Sequence, residues 1–169
     1  RSGANVVGVD ASEDMIAAAR MFAKERGADV RFDIARAEAL PFETASFDVV
    51  IAVTVLCFVE DAVAAVDEMV RVLKPGGRLI VGELGRFSTW AALRRIKGWL
   101  GSPVWRAARF RSAAELKQFA REASLTDISV IGAIYYPPLG AAARLMVPFD
   151  PWLGRWTTAG AAFLVLVAT

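Results

Sequence analysis

One short segment, Val6 to Ser12, constrains the fold more than any other part of this 169-residue chain. Apolar residues of strand type lead directly into an acidic residue, Asp10, and a serine suited to cap a helix follows two residues later. A strand that passes at once into a helix is typical of an open parallel sheet, in which crossover helices connect the strands. The segment therefore predicts an α/β fold with Asp10 at the carboxyl end of a strand.

The rest of the chain continues this alternation of short apolar runs with helical patterns. Helices are predicted to begin after the capping residues Ser12 and Asp61, whereas residues 35–45 are too few for a long crossover helix. The strands are predicted at residues 4–10, 30–34, 47–53, 78–84, 125–136 and 160–168. This order predicts an α/β, Rossmann-like doubly wound, mostly parallel sheet with a C-terminal antiparallel strand pair.

The length predicts a single domain over residues 1–169 that contains two distinctive segments. Residues 85–111 form a lid or substrate-side segment, in which positions 86–111 carry seven Lys or Arg and no Asp or Glu. Residues 137–158 are rich in Pro, Gly and Trp, so an inserted loop with at most one short helix is expected there.

Composition argues against several classes of function. Histidine is absent, which removes histidine-based triads and histidine metal sites, and no metal site is expected. The net charge of +2 gives no general attraction to nucleic acid, and no nucleic-acid partner is expected. The single cysteine, Cys57, fits a reducing compartment and predicts a cytoplasmic protein. The longest apolar runs, 49–59 and 159–168, fall short of the about 20 residues that a membrane helix needs.

Asp10 is the first candidate for ligand binding. A carboxylate at the carboxyl end of a strand, in the crevice of an open sheet, can accept hydrogen bonds from both ribose hydroxyls of an adenosine. The alternative is that Asp10 only caps the helix that follows it. Ser12 is the better capping residue, so the sequence favours the ligand-binding interpretation.

Three further motifs follow in order, and together they carry a family resemblance. They are Ala37 to Phe42, Ser46 to Val50, and Glu68 to Leu79, the last of which contains a Lys-Pro-Gly-Gly turn. With Asp10 and Met15, these motifs resemble a class I S-adenosylmethionine-dependent methyltransferase. The resemblance is strongest to the methyltransferase type 11 group, which includes the ubiquinone and menaquinone biosynthesis enzymes, and it covers residues 4–84.

The resemblance implies S-adenosylmethionine as cofactor and assigns binding roles to seven residues. Asp10 would bind the ribose hydroxyls, and Ala11 and Met15 would pack on the adenine face. The backbone of Arg36 and Ala37 would border the adenine edge. Val53 and Thr54 would line the methionine and sulfonium end. Met15 also lies on an apolar helix stripe, so it could instead belong to the core.

Two positions depart from the family pattern. Arg36 stands where the family commonly has an acidic residue that accepts from the adenine amino group. The Gly-rich motif that precedes Asp10 in the family is not present in this chain, so the first βα unit is expected to be missing. In the family that strand lies between the strands that carry Asp10 and Val53, and a gap in the sheet is therefore expected here.

Methyl transfer depends on alignment and exclusion of water more than on reactive side chains. The catalytic residues are therefore unknown, and the candidates for a general base are Glu83, Tyr135, Tyr136 and Asp150, none of which is distinguished by the sequence.

The substrate side is predicted from aromatic and basic residues on a helix within residues 87–100. This helix could be a lid, a helix packed on the sheet, or a peripheral membrane contact through residues 87–110. The apolar side chains predict a small-molecule or lipid-like acceptor, although the basic residues could favour an anionic one. Two other functions remain open: a non-catalytic binding or scaffold protein of the same fold, and a nicotinamide-dependent oxidoreductase. The Lys-Pro-Gly-Gly turn and the lack of a Tyr-x-x-x-Lys motif argue against the oxidoreductase.

Overall fold

The computed structural model of the chain describes residues 3–137 and 140–169. The strands are β1 (Val7–Asp10), β2 (Arg31–Ile34), β3 (Phe47–Val53), β4 (Leu73–Leu84), β5 (Ser129–Ala133) and β6 (Phe163–Ala168). The helices are α1 (Glu13–Glu25), α2 (Ala62–Val72), α3 (Thr89–Trp99), α4 (Pro103–Ala107), α5 (Ala113–Glu122), α6 (Gly140–Met146) and α7 (Asp150–Trp156). None of the helices described combines the length and apolar character that a bilayer crossing requires.

The strands form two separate sheets. β1 and β2 make a parallel pair, and the second sheet has the strand order β3-β4-β6-β5. β3 runs parallel to β4, whereas β6 is antiparallel to both of its neighbours. The Rossmann-like α/β class and the C-terminal antiparallel pair are thereby confirmed. Within the part of the chain that the structure describes, β1 and β3 are not hydrogen-bonded to each other, in agreement with the gap expected between them.

Polar caps begin the main helices where the sequence places them. The side-chain oxygens of Ser12 and Asp61 accept backbone N–H bonds from the first turns of α1 and α2. Ser88 caps α3 in the same way, and Ser112 forms a reciprocal capping box with Glu115 at the start of α5. These caps fix the residue at which each helix begins after the preceding strand or loop.

The main core lies between one face of the four-stranded sheet and helices α2 and α5. Its largest buried members include Leu56, Val66, Met69, Leu79, Val81, Leu116, Leu164 and Leu166. Alternate side chains of β6 are buried in this core, as the two-residue period of a strand requires. On β3 the alternate residues Val49, Ile51 and Val53 are exposed, so one face of this strand has little cover from the residues described.

The late part of the chain differs from its predicted outline. A strand was expected over residues 125–136, but β5 is limited to Ser129–Ala133. Asp127 and Ile134 adopt positive φ angles of 47° and 64°, which end the extended conformation on both sides. The N–H groups of Ile134 and Tyr135 donate to the Asp150 carboxylate at 2.8 Å, and not to another strand.

The segment 137–158 is mostly helical, which corrects the expectation of a loop with at most one short helix. Helices α6 and α7 are joined by a 3-10 turn at Val147–Phe149, while residues 138 and 139 lie outside the described part. Pro148 and Pro151 lie in the first turns of the 3-10 and α7 segments, where proline is tolerated, so they mark helix starts and not loop positions.

Candidate functional site

The carboxyl ends of β1 and β2 lie side by side. The N–H of Ala35, just past β2, donates to the carbonyl of Asp10 at 3.1 Å. The Asp10 side chain is exposed, and its Oδ1 accepts the N–H of Ser12 at 2.8 Å. Ser12 itself caps the helix by accepting the N–H of Met15 at 3.3 Å. The Asp10 carboxylate is therefore oriented by the turn, and its Oδ2 has no hydrogen bond within the described residues.

The first turn of α1 presents an apolar side chain beside this carboxylate. Met15 is 59% exposed, whereas the next residue, Ile16, is buried against the sheet. The alternative that Met15 belongs to the core is therefore wrong. Ala11 is also exposed, so the two residues expected on the adenine face are both available to a ligand.

Arg36 and Ala37 follow β2 directly, next to the end of β1. The Arg36 guanidinium pairs with Glu38 at 3.0 Å and reaches Glu60 at 3.4 Å. This second contact joins the segment after β2 to the loop after β3. The sequence interpretation used only the backbone at Arg36, and it did not foresee the link that the Arg36 side chain makes.

Two residues of α2 hold the segment after β2 in place. The N–H of Leu40 donates to the Glu68 carboxylate at 2.8 Å, and Arg71 donates to the carbonyls of Leu40 and Phe42 at 3.1 and 2.8 Å. Arg71 also forms an ion pair with Glu68 at 2.6 Å. The Glu-x-x-Arg part of the Glu68 to Leu79 motif thus fixes the backbone of the segment after β2 by hydrogen bonds from α2.

The end of β3 carries the remaining candidates, Val53 and Thr54. Val53 is exposed, and Thr54 is half-buried with a positive φ of 54°, which is rare for a β-branched residue. The N–H of Thr54 donates to Gly82 O at 2.7 Å, and its hydroxyl donates to Val53 O at 2.7 Å. Backbone conformations of this kind are retained where surrounding contacts enforce them, often at functional sites.

A buried carboxyl enforces the turn after Thr54. Glu83, near the end of β4, is fully buried, and its Oε1 accepts the N–H of Leu56 at 2.7 Å. The second oxygen, Oε2, is buried without a hydrogen-bond partner among the described residues. Burial raises the pKa of Glu83, while the Leu56 N–H bond, the Cys57 thiol and the charge of Arg111 oppose the rise. A lone acidic residue in the apolar run of β4 was the sequence signal for this group.

The turn is also held by Cys57 and by the segment after α4. The Cys57 thiol donates to Thr54 O at 3.4 Å, and Arg109 N donates to Cys57 O at 2.8 Å. Arg111 Nη2 donates to Leu56 O at 3.1 Å. Burial, followed by the neighbouring Glu83 carboxyl, raises the pKa of the Cys57 thiol well above its usual range, so this thiol stays protonated and is unsuited to act as a nucleophile.

Three of the four candidate general bases have structural partners that occupy them. Glu83 is buried on the Leu56 N–H, and Asp150 accepts two backbone N–H groups at the end of β5. The Tyr135 hydroxyl donates to the carbonyl of Thr157. Tyr136 contributes its carbonyl to the Trp90 indole N–H at 2.9 Å. Within residues 3–137 and 140–169, no group of three or more Cys, Asp or Glu residues is placed to hold a metal ion.

The segment 85–111 folds as helices α3 and α4, followed by an extended return to β4. The Arg94 guanidinium lies 5.5 Å from the Trp90 ring and 5.0 Å from the Trp105 ring, which joins the two helices by cation–π contacts. The outer side of α3 ends in Trp99 and Leu100, each 81% exposed. The basic and aromatic segment predicted from the sequence thus forms a helical layer beside the turn at Thr54.

Comparisons with known proteins show that the chain is similar to methyltransferases. The family model of a methyltransferase domain matches residues 1–81. An uncharacterized protein of Mycobacterium tuberculosis is 37% identical over 131 residues, 78% of this chain and 44% of that protein. The ubiquinone biosynthesis O-methyltransferase of Idiomarina loihiensis is 33% identical over 144 residues, 82% of this chain and 59% of that protein. The chain thus spans about half the length of these curated relatives.

A solved structure shows the same fold. It is a SAM-dependent methyltransferase of Thermotoga maritima, described as a possible histamine N-methyltransferase. The TM-score is 0.71 at 28% sequence identity, and the match covers 97% of this chain and 72% of that one.

Proposed function

Because this chain belongs to the class I S-adenosylmethionine-dependent methyltransferases, we propose that it binds S-adenosylmethionine and transfers its methyl group to a small or lipophilic acceptor. The observation that carries the proposal is the exposed Asp10 carboxylate, oriented by Ser12 at the end of β1. Exposed Met15 on one side and the segment at Arg36 on the other complete a place for an adenosine.

The residues described fit this ligand at its adenosine end. Asp10 Oδ2, which has no hydrogen bond within residues 3–137 and 140–169, can accept a ribose hydroxyl, and the Met15 side chain can cover the adenine ring. Ala37 follows at the end of β2, where backbone groups can meet the adenine edge. On β3, Val53 and Thr54 would border the sulfonium end across the gap between the sheets.

S-adenosylmethionine supplies an electrophilic methyl carbon, which an acceptor nucleophile takes in line as the carbon–sulfur bond breaks. The chain's own task is to align the two reactants and to exclude water. Since Glu83, Asp150 and Tyr135 are occupied by structural hydrogen bonds, we propose that no side chain among these three removes a proton from the acceptor. If Tyr136 does not act as the base either, the acceptor would present a nucleophile that is neutral or readily ionised. The single buried cysteine, Cys57, supports a cytoplasmic location as part of this proposal.

Calorimetric titration of the complete protein with S-adenosylhomocysteine tests this function. We expect saturable binding, whereas NADH under the same conditions should give no heat of binding. Binding of NADH alone would support a nicotinamide-dependent oxidoreductase. If no heat of binding is measured with S-adenosylhomocysteine or with NADH, the proposal is overturned. That result would favour a non-catalytic binding or scaffold protein of the same fold.

A second proposal concerns the outer side of α3. We propose that this side makes a peripheral contact with an anionic lipid surface, because Trp99 and Leu100 protrude from the segment 86–111, which has seven basic residues and no acidic ones. The alternatives, a lid or a plain packed helix, require no lipid. A lipid contact would place a lipophilic acceptor close to the turn at Thr54.

Co-sedimentation with lipid vesicles separates these alternatives. The complete protein should bind vesicles that contain phosphatidylserine and should release them as salt rises from 0.1 to 1 M, since the Debye length falls from about 10 to about 3 Å. Trp99→Ala should weaken the binding several-fold. Phe22→Ala is the matched control, because Phe22 is also an exposed aromatic side chain beside an arginine, but it lies on α1. Equal binding to neutral vesicles, or equal loss of binding in both variants, would mean that α3 is a lid or a plain packed helix and not a lipid contact.

A further inference from the structure

A cavity distinct from the strand ends of β1 and β2 lies on the segment 85–111. It is a groove of about 330 Å³ between the end of α3, α4 and the extended residues 108–111. We call it the arginine groove because five of its lining residues are Arg86, Arg95, Arg106, Arg109 and Arg111. Its aromatic lining consists of Trp99, Trp105 and Phe110, and no acidic residue lines it.

The guanidinium charges in the arginine groove are only partly neutralised. Arg86 pairs with Glu115 at 3.1 Å, and Arg111 lies 4.0 Å from the same carboxylate. No carboxylate lies within 4 Å of the guanidinium groups of Arg95, Arg106 and Arg109 in the part of the chain that the structure describes. Three unneutralised cations around one groove raise the local positive potential and favour an anionic occupant.

The groove is formed by fixed contacts and does not need a ligand to assemble. Gly98 is buried at the crossing of α3 and α4, where a Cβ atom would lie 3.0 Å from the backbone of Trp105, so glycine favours this close approach. The Arg86 Nε donates to Phe110 O at 3.2 Å, and the Arg95 guanidinium lies 5.2 Å from the Phe110 ring. A preformed site of this kind loses little conformational entropy on binding.

One wall of the arginine groove is attached to the turn after β3. Arg109 N donates to Cys57 O at 2.8 Å, and its guanidinium donates to Glu60 O at 3.2 Å. Arg111 donates to Leu56 O at 3.1 Å. The groove therefore adjoins the same turn that presents Thr54 at the proposed sulfonium end of the methyl donor.

From these contacts we infer that the arginine groove binds the carboxylate or phosphate of an aromatic ligand. Guanidinium groups bind both anions through paired, charge-assisted hydrogen bonds, and the exposed Trp99 side chain offers a face on which an aromatic ring can stack. We further infer that this ligand is the methyl acceptor, an assignment that rests on the proposed function. The anionic group would then anchor the acceptor in the groove while its nucleophile reaches toward Thr54.

Ligand-observed NMR titrations with three probes test this inference on the complete protein. Benzoate and phenyl phosphate carry the two candidate anions, and benzyl alcohol is the neutral comparison. At least one anionic probe should bind about tenfold more tightly than benzyl alcohol, and the tighter of the two identifies the preferred anion. Arg95→Gln combined with Arg106→Gln should remove this advantage without unfolding, since neither side chain makes a hydrogen bond within the described residues.

Arg78→Gln combined with Arg121→Gln is the matched control, because it removes the same charge from exposed positions outside the groove. It should leave the preference for the anionic probe unchanged. Equal affinities for charged and neutral probes, or equal losses in both double variants, would overturn the inference. If an anionic probe binds while S-adenosylhomocysteine does not, the anion site stands, and its role as the acceptor site falls with the proposed function.

Discussion

Replacing Asp10 by alanine should weaken the binding of S-adenosylhomocysteine by about 10- to 150-fold, the range expected for lost hydrogen bonds to a charged acceptor. The Asp10 carboxylate lies at the end of β1 with Oδ1 on the Ser12 N–H, while Oδ2 has no hydrogen bond among the residues that the structure describes. A ribose hydroxyl bonded to Oδ2 would lose a charge-assisted bond in the variant. Calorimetry on the complete protein measures the change in dissociation constant directly.

The control for Asp10 separates ligand binding from helix capping. Ser12→Ala removes the cap of α1 but keeps the Asp10 carboxylate, so it should lower the melting temperature and leave affinity nearly unchanged. Asp10→Asn keeps an oxygen for the Ser12 N–H and loses the charge, so its affinity should fall between wild type and alanine. If Asp10→Ala changes only the melting temperature, Asp10 is a turn residue and the adenosine lies elsewhere.

The sequence was sufficient for the features that depend on local chemistry. The caps at Ser12 and Asp61 and the strand that ends at Asp10 all follow from neighbouring residues, and the structure has each of them. The antiparallel pairing of β5 with β6 follows from two adjacent late strands. Local propensity carries such features because each one satisfies its own backbone hydrogen bonds.

Long-range contacts determine what the sequence did not reveal. β5 is shorter than its apolar pattern because Asp150, sixteen residues beyond Ile134, takes the N–H groups at its end. The turn at Thr54 depends on Glu83 and Arg111, which are 29 and 57 residues further along the chain. The arginine groove likewise depends on the close approach of α3 and α4 at Gly98. A single sequence gives no register for such contacts, so neither the burial of Glu83 nor the groove was predicted.

Glu83→Ala should lower the free energy of unfolding by about 2–4 kcal/mol, since it opens a cavity in the core and leaves the buried Leu56 N–H without an acceptor. Glu83→Gln keeps an oxygen for that N–H and should cost less. The turn from Thr54 to Cys57 loses its anchor in the alanine variant and keeps it in the glutamine variant. Hydrogen exchange at Leu56 should therefore be faster in the alanine variant than in the glutamine variant. Chemical denaturation measures the free energies.

A comparison of how the free energy of unfolding depends on pH in wild type and in Glu83→Gln gives the sharper test. The pKa of Glu83 is raised in the folded protein by burial, so the folded state holds its proton to higher pH than the unfolded state does. The stability that this proton provides is complete below the ordinary pKa of 4.5 and is lost as pH rises through the folded-state value. Wild type should therefore lose up to about 1.4 kcal/mol per pH unit relative to Glu83→Gln across this window.

Glu68→Gln is the control, because its effect on stability should change with pH in the opposite direction. The hydrogen bond from Arg71, together with its charge, lowers the pKa of Glu68 against the opposing effect of burial, so this carboxylate stabilises the fold above its ordinary pKa and loses that effect as pH falls. Relative to wild type, Glu68→Gln should therefore be least stable near neutral pH, whereas Glu83→Gln should gain there. Unfolding measured at pH 4.5 and 7.5 distinguishes the two trends. Parallel curves for wild type and Glu83→Gln would mean that Glu83 is ionised in the folded protein as readily as in water, and that Arg111 compensates its burial.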